Sequence, residues 1–352
     1  MTHLAVGDHA PTFTCPSSVN SEFAFDTVAG RRNALCFAGD LSSSEGIGLI
    51  DAVARLRDRL RALFSRVIFV AADPGDHIDD LSARLGEAKL VAFWDRDGSV
   101  ARLYGVEGWR GSVLLDENLR FVAAVPLDSG SDHLDNVLAA LQRLPAQPPP
   151  RTIQRQAPVL IVPSVFAPEF CRALIDRFEV DGGRPSGHMD QKEGRTFTVL
   201  DPWVKTRRDV TIDDETVRAE IVDIIGRRLR PEVRKAFASN FTRIERFVIA
   251  RYDAETRGHF SAHRDNTTTG TAHRKFAVTI NLNAEGYEGG DLRFPEYGRD
   301  SYRAPTGGAV VFACGLMHEA LPVTSGRRYA FLPFLYDEAG WRLRQVTRSQ
   351  IG

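Results

Sequence analysis

Between Arg32 and Leu144 the chain alternates apolar runs with stretches whose apolar residues recur at helical spacing. "NALCFAG" reads as a buried strand, and residues 46–65 as a helix burying one face. "RVIFVAAD" is a second strand and "HIDDLSARLG" a short helix, while "GSVLLDENLRFVAAVP" turns at Glu117-Asn118 as a hairpin. Residues 133–144 close the run with another helix. This order predicts a three-layer α/β domain with helices covering a mixed sheet.

The pattern then breaks at "RLPAQPPPRTIQRQAP", which holds five prolines, three arginines and no acidic residue. Stacked prolines favour extended backbone and oppose both helix and central strand. We therefore expect a domain at 1–144, a linker at 145–158 and a second domain at 159–352. In the second, "APEFCRALIDRFE" and "DETVRAEIVDIIGRRLRPEVRKAF" are amphipathic and helical. From Thr242 onward short strands recur between Gly, Pro and Asn signals: "RIERFVIARYD", "KFAVTINLN", "GGDLRFPEYG", "GGAVVFAC", "EALPVTSG" and "RRYAFLPFLYD". Such spacing predicts an antiparallel sandwich or barrel with the helices outside.

Composition narrows the function classes. The 352 residues are 43% apolar and 26% charged with a formal net charge of −1, so no bulk field draws the chain to nucleic acid or to a membrane surface. No apolar run is long enough to span a bilayer. "MTHLAVGDHAPTF" lacks a basic region followed by an apolar stretch, and a cytoplasmic protein is expected. Cys15, Cys36, Cys171 and Cys314 are far apart, with no C-x-x-C pair, and read as reduced thiols.

The candidate chemistry lies in "FSAHRDNTTTG". On a strand, residues i and i+2 share a face, so His263 and Asp265 are expected to point together into the barrel. Two ligands do not make a stable open metal site, and His318, after "GGAVVFAC", supplies a third. Two imidazoles and one carboxylate on one face of Fe(II) leave the opposite positions free for substrate and dioxygen. A bare H-x-D is a weak signal; the order of the surrounding residues adds the specificity.

That order is Tyr252, Phe260, His263, Asp265, Leu282-Asn283, Gly289-Gly290, Leu292, Phe294, His318, Pro322-Val323 and Arg328, ten positions after His318. From about Ile244 to Tyr336 the chain resembles the Fe(II)/2-oxoglutarate-dependent dioxygenases of the prolyl 4-hydroxylase-like branch. Ala320, where that family often has valine, is a departure expected to affect packing only. The resemblance implies a double-stranded β-helix, or jelly roll, with flanking helices. It implies Fe(II) held by His263, Asp265 and His318, 2-oxoglutarate and dioxygen as co-substrates, and ascorbate as a candidate further cofactor. The far carboxylate of 2-oxoglutarate needs a cation, and a guanidinium can donate two parallel hydrogen bonds to it. Arg328 matches the family spacing, whereas alternation sends Arg327 to the opposite face. Tyr252 and Asn281 are candidates for further bonds to that carboxylate; Tyr252 is equally readable as a core aromatic. The implied reaction is hydroxylation of an unactivated C–H with release of succinate and carbon dioxide. A prolyl or other peptidyl substrate is favoured, a free amino acid or small metabolite being the alternative. His259 and His273 read as solvated loop residues, and "WVKTRRDV" offers arginines to substrate or to water.

The N-terminal half resembles a peroxiredoxin of the thioredoxin-like fold, through "GDHAPTF", the strand "NALCFAG" and "WRGSVLLDENLRFVAAV". Where that family presents its peroxidatic cysteine this chain has Leu41-Ser42-Ser43-Ser44-Glu45, so the low-pKa thiolate is missing. Cys36 is expected to be buried and inert, and Cys15, before Pro16, is the candidate reactive thiol. The resemblance leaves dimerisation, substrate docking or domain support as roles. A thiol peroxidase and a binding or scaffolding protein with a dead barrel are the competing readings of the whole chain.

Overall fold

The computed structural model describes residues 3–127 and 132–347. The chain divides into two compact units, 1–151 and 152–352, and residues 145–159 carry no helix or strand.

The first unit is thioredoxin-like. Its central sheet runs Val91–Trp94, Ser65–Ala71, Arg32–Gly39, Gly111–Leu115, Phe121–Pro126, with the first three strands parallel and the last two antiparallel. Alternation along Arg32–Gly39 decides which layer each side chain joins. Ala34, Cys36 and Ala38 pack with Ile50, Val53, Leu81 and Leu138, while Leu35 and Phe37 face Val100 and Tyr104. The helix expected over 46–65 is two, Ser44–Arg55 and Arg57–Ala62. The Ser43 hydroxyl caps the first by accepting from the Gly46 N–H at 3.1 Å.

The second unit is a jelly roll of two facing sheets. The larger follows the order Arg243–Glu245, Phe334–Tyr336, Phe276–Asn281, Val323–Phe331, Val248–Asp253, Arg208–Thr211, Arg184–Pro185. The smaller runs Lys205–Thr206, His259–His263, His318–Ala320, Leu292–Arg293, Ser301–Tyr302. Helices Pro168–Asp181, Glu215–Arg228 and Arg230–Phe237 bury Leu174, Phe178, Ile221, Ile225 and Val233 against the larger sheet. The second helical stretch of the sequence breaks at Leu229, because Pro231 cannot donate within a continuous helix. The strand "RIERFVIARYD" is also interrupted: Arg246 sits at φ 66°, separating Arg243–Glu245 from Val248–Asp253. Among the described residues, no helix is long and apolar enough to cross a membrane.

One buried ion cluster ties strand Arg243–Glu245 to the loop before Phe276. Glu245 accepts from His273 Nε2 at 2.5 Å and from Arg274 Nη2 at 2.9 Å, so His273 is a buried structural residue and not a solvated one. Burial opposes the charge of Glu245, but His273 and Arg274 hold its carboxyl well below the ordinary value of 4.5. A depressed folded-state pKa gives stability that is complete above the unfolded value and lost as pH falls through the folded one. Glu245→Gln is expected to cost about 3 kcal/mol at neutral pH. Thermal melts should show that gap narrowing as the pH drops below 4.5.

Candidate metal centre and co-substrate pocket

The smaller sheet brings the two histidines together. Strand His259–His263 pairs antiparallel with His318–Ala320, with Phe260 opposite Ala320, a register irregularity, and then His263 opposite His318. The two imidazole centroids lie 4.3 Å apart. Asp265 departs from the expectation of a shared strand face, because strand pairing ends at His263 and Asp265 occupies the following turn. Its backbone N–H donates to the Cys314 carbonyl at 3.0 Å, which anchors that turn to the end of strand Ala309–Ala313. The carboxylate still meets both rings, Oδ1 at 3.5 Å from His263 Nε2 and Oδ2 at 3.2 Å from His318 Nε2.

Hydrogen bonding orients these groups for a cation. His263 Nδ1 lies 2.7 Å from the Ser261 carbonyl and His318 Nδ1 lies 3.0 Å from that of Leu316. A carbonyl can only accept, so the neutral ring carries its proton on Nδ1 and turns the Nε2 lone pair inward. Two lone pairs and a carboxylate then converge, with ligand atoms all within 4.8 Å of one another. Electron-pair donors facing each other repel unless a proton or a metal ion sits among them. Burial opposes charge on Asp265, yet His318 and His263 hold its pKa well below 3.8. Burial likewise lowers both imidazoles; Asp265 reverses this at His318, whose pKa is raised, but not at His263. The donor set of two nitrogens and one oxygen, open on one side to a cavity, fits an Fe(II) centre.

Arg328 lies in the same cavity. Strand pairing sets Tyr252 opposite Arg328 and Asp253 opposite Arg327. Arg327 turns outward to Asp253 and Glu179, while Arg328 is 2% exposed, with Nε and Nη1 lacking any hydrogen-bond partner among the described residues. A buried guanidinium without an anion is strongly unfavourable, so a ligand carboxylate would fit here. Gly290 makes room for the Arg328 side chain, and Gly289 for the neighbouring Pro322 carbonyl. Both adopt φ near +70°, and a Cβ on Gly290 would sit 2.8 Å from Val323 Cγ2 and 3.2 Å from Arg328 Cδ.

The second-tier candidates divide. Tyr252 lines the cavity, accepts from Arg207 Nη1 at 3.2 Å and carries the Arg328 guanidinium 5.0 Å from its ring centroid. Asn281 does not line the cavity; its Nδ2 donates to the Ala304 carbonyl at 2.7 Å. Thr279, two residues earlier on the same strand face, lines it instead. Tyr287 was not among the candidates, yet its buried hydroxyl faces the Arg328 guanidinium, whose charge acts on it. The signal was its place two residues before the Gly-Gly pair. Apolar rings complete the walls: Phe260 stacks on His263 at 3.5 Å, and Phe312 stands 4.5 Å from His318. Arg264 points away and pairs with Glu296 at 2.7 Å. His259 stays near the surface, within hydrogen-bond reach of the Arg257 and Trp203 carbonyls.

"WVKTRRDV" is resolved residue by residue. Lys205 and Arg207 line the cavity, whereas Arg208 is taken up by the Gly182 and Gly183 carbonyls. These positions escaped the sequence pattern because the strands here, Lys205–Thr206 and Arg208–Thr211 with Arg207 between them, are too short and charged to show alternation.

Among the described residues, the thioredoxin-like unit presents no comparable chemistry. Cys15 is not in an open turn but buried on strand Thr14–Cys15, where burial and then Asp95 push its pKa up to about 11. Burial pushes Cys36 up to about 11 as well. A thiol reacts as its thiolate. All four native thiols should therefore resist maleimide at neutral pH, and Cys15→Ser should leave peroxide consumption at background.

Residues 247–336 match the family model of the 2OG-Fe(II) oxygenase superfamily. Solved structures similar to this chain include a prolyl-4-hydroxylase from Pseudomonas putida, at 17% identity over 51% of this chain and 93% of that one, TM-score 0.39. Another is a prolyl hydroxylase from Trichoplax adhaerens in complex with a hypoxia inducible factor peptide fragment, at 16% identity over 53% and 86%, TM-score 0.42. A peroxidoxin from Mycobacterium tuberculosis is 15% identical over 41% of this chain and 100% of that one, TM-score 0.35. No curated protein matches the chain. With the ligand set, the buried guanidinium and the family match in one segment, residues 247–336 are a 2OG-Fe(II) oxygenase superfamily domain.

Proposed function

We propose that the C-terminal unit oxidises an unactivated C–H bond to an alcohol, with 2-oxoglutarate converted to succinate and carbon dioxide. The observation that carries this reading is the placing of three convergent ligands and one unpaired buried guanidinium around a single cavity. His263 Nε2, His318 Nε2 and the Asp265 carboxylate would hold Fe(II), and Arg328 would hold the far carboxylate of 2-oxoglutarate. Bound iron supplies dioxygen activation, which no side chain can perform alone. The protein's part is positioning. The Ser261 and Leu316 carbonyls lock the two imidazoles, Tyr252 and Gly290 shape the Arg328 pocket, and Phe260 and Phe312 keep water from the ligands.

The family resemblance points first to a prolyl or other peptidyl substrate. The cationic lining of the cavity favours the alternative, a small free acid. The test of the oxygenase reading is succinate formation by purified protein given Fe(II), 2-oxoglutarate and oxygen. Succinate should appear only with all three, slowly without the prime substrate; none above the iron-free control would refute the reading.

A further inference from the structure

Resting on that reading, we propose that Lys205 and Arg246 form a second anion site beside the metal ligands, and that the substrate is a small carboxylic acid whose carboxylate binds there.

The wall is built for an anion. Strand Lys205–Thr206 runs against the metal strand, with Lys205 opposite Phe260. The Lys205 ammonium lies 4.9 Å from the Phe260 ring centroid, and that ring stacks on His263. Lys205 is 6% exposed and, among the described residues, donates to neutral acceptors, Ser186 Oγ at 2.7 Å and the Gly187 carbonyl at 2.5 Å. Arg207 takes both oxygens of Asp209, at 2.6 and 2.7 Å, which leaves Arg246 a long contact of 3.4 Å to the same carboxylate. Arg207 and Arg246 thus share the Asp209 carboxylate with Lys205 close by, so the basic groups outnumber the acid that faces them. Burial, then the charge of Arg207, pulls the Lys205 pKa down to about 6, and a bound anion would draw its proton back.

The bound co-substrate does not remove this excess. A divalent metal with Asp265, together with Arg328 and dianionic 2-oxoglutarate, sums to zero, so the charge of the Lys205–Arg246 wall is left for the substrate. The space fits a small molecule. A cavity of about 550 Å³ is lined by Lys205, Arg246, Phe260, His263 and Asp265, placing the anion site and the ligands on one chamber. A carboxylate between Lys205 and Arg246 would anchor a short substrate, with its C–H bonds toward the open side of the ligand set.

The experiment uses full-length protein loaded with Mn(II) and saturated with 2-oxoglutarate. Thermal unfolding is followed with the free L-amino acids and L-malate, with the amino acids' C-terminal amides, and with a capped neutral prolyl peptide. At least one free acid should raise the midpoint, its amide and the peptide should not, and Lys205→Met or Arg246→Met should weaken its binding by about tenfold or more. Arg246→Lys, which keeps the charge, should recover part of the shift. The idea is overturned if no acid shifts the midpoint, if amides or the peptide act equally, or if the variants bind the acid as well as wild type. A visible charge-transfer band on anaerobic addition of Fe(II) and 2-oxoglutarate separates the two failures. If the band forms but acids do not bind, only the second anion site is lost; without the band, the oxygenase reading itself falls.

Discussion

Asp265→Ala should abolish succinate formation and weaken metal binding by well over the roughly hundredfold lost when only an outer partner of a metal ligand is removed. Asp265 is the only anionic ligand in the group and the only one touching both imidazoles, at 3.5 and 3.2 Å. Without it, two neutral nitrogens remain, with no charge to compensate a divalent ion. The fold should survive, because the turn holding Asp265 is fixed by its backbone N–H to Cys314 and not by the carboxylate. Removing the carboxylate also relieves a buried charge. Equilibrium dialysis against Fe(II) or Mn(II), beside a thermal melt, checks both halves. Tight metal binding by a folded Asp265→Ala protein would remove the residue from the ligand set.

The second large effect is at Arg328. Arg328→Met should raise the 2-oxoglutarate concentration for half-maximal turnover by about a hundredfold, since a charge-assisted bidentate pair to a buried carboxylate contributes about 3 kcal/mol. Metal affinity should stay close to wild type, because Arg328 is not among the ligand atoms. The variant should also melt no lower than wild type before co-substrate is added. The reason is that the guanidinium is buried with Nε and Nη1 unpaired, so methionine of similar length removes an uncompensated charge. A structural arginine would behave in the opposite way, with lost stability and an unchanged requirement for 2-oxoglutarate.

The residues that carry order and spacing were legible in the sequence. His263, Asp265, His318 and Arg328 stand at fixed separations around strands whose apolar alternation is clear, and the structure brings all four to one cavity. The choice of Arg328 over Arg327 rested on the family spacing together with the two-residue strand period, and the pairing of Tyr252 with Arg328 has that form. Asp265 was placed on a strand that has already ended, because the turn to Cys314 is a backbone contact between distant segments. Asn281 faces the same side as Thr279, but periodicity fixes a face and not how far along it a cavity extends. Lys205, Arg207 and Arg246 were obscure for a different reason. Lys205 sits on a two-residue strand, Arg207 between two short strands and Arg246 at a positive-φ break, where no hydrophobic period can develop. The thioredoxin-like fold was readable from its apolar strands, whereas the burial of Cys15 depends on a layer of side chains from Phe25, Phe93 and Tyr104 that no local pattern discloses.

The most direct test of the central claim is an anaerobic titration of Fe(II) into the full-length protein in the presence of 2-oxoglutarate, followed by its visible charge-transfer band. The band should saturate at one iron per chain, vanish in Asp265→Ala, and in Arg328→Met return only at much higher 2-oxoglutarate. Absence of iron binding by the wild-type protein, or a band indifferent to Asp265→Ala, would contradict the account.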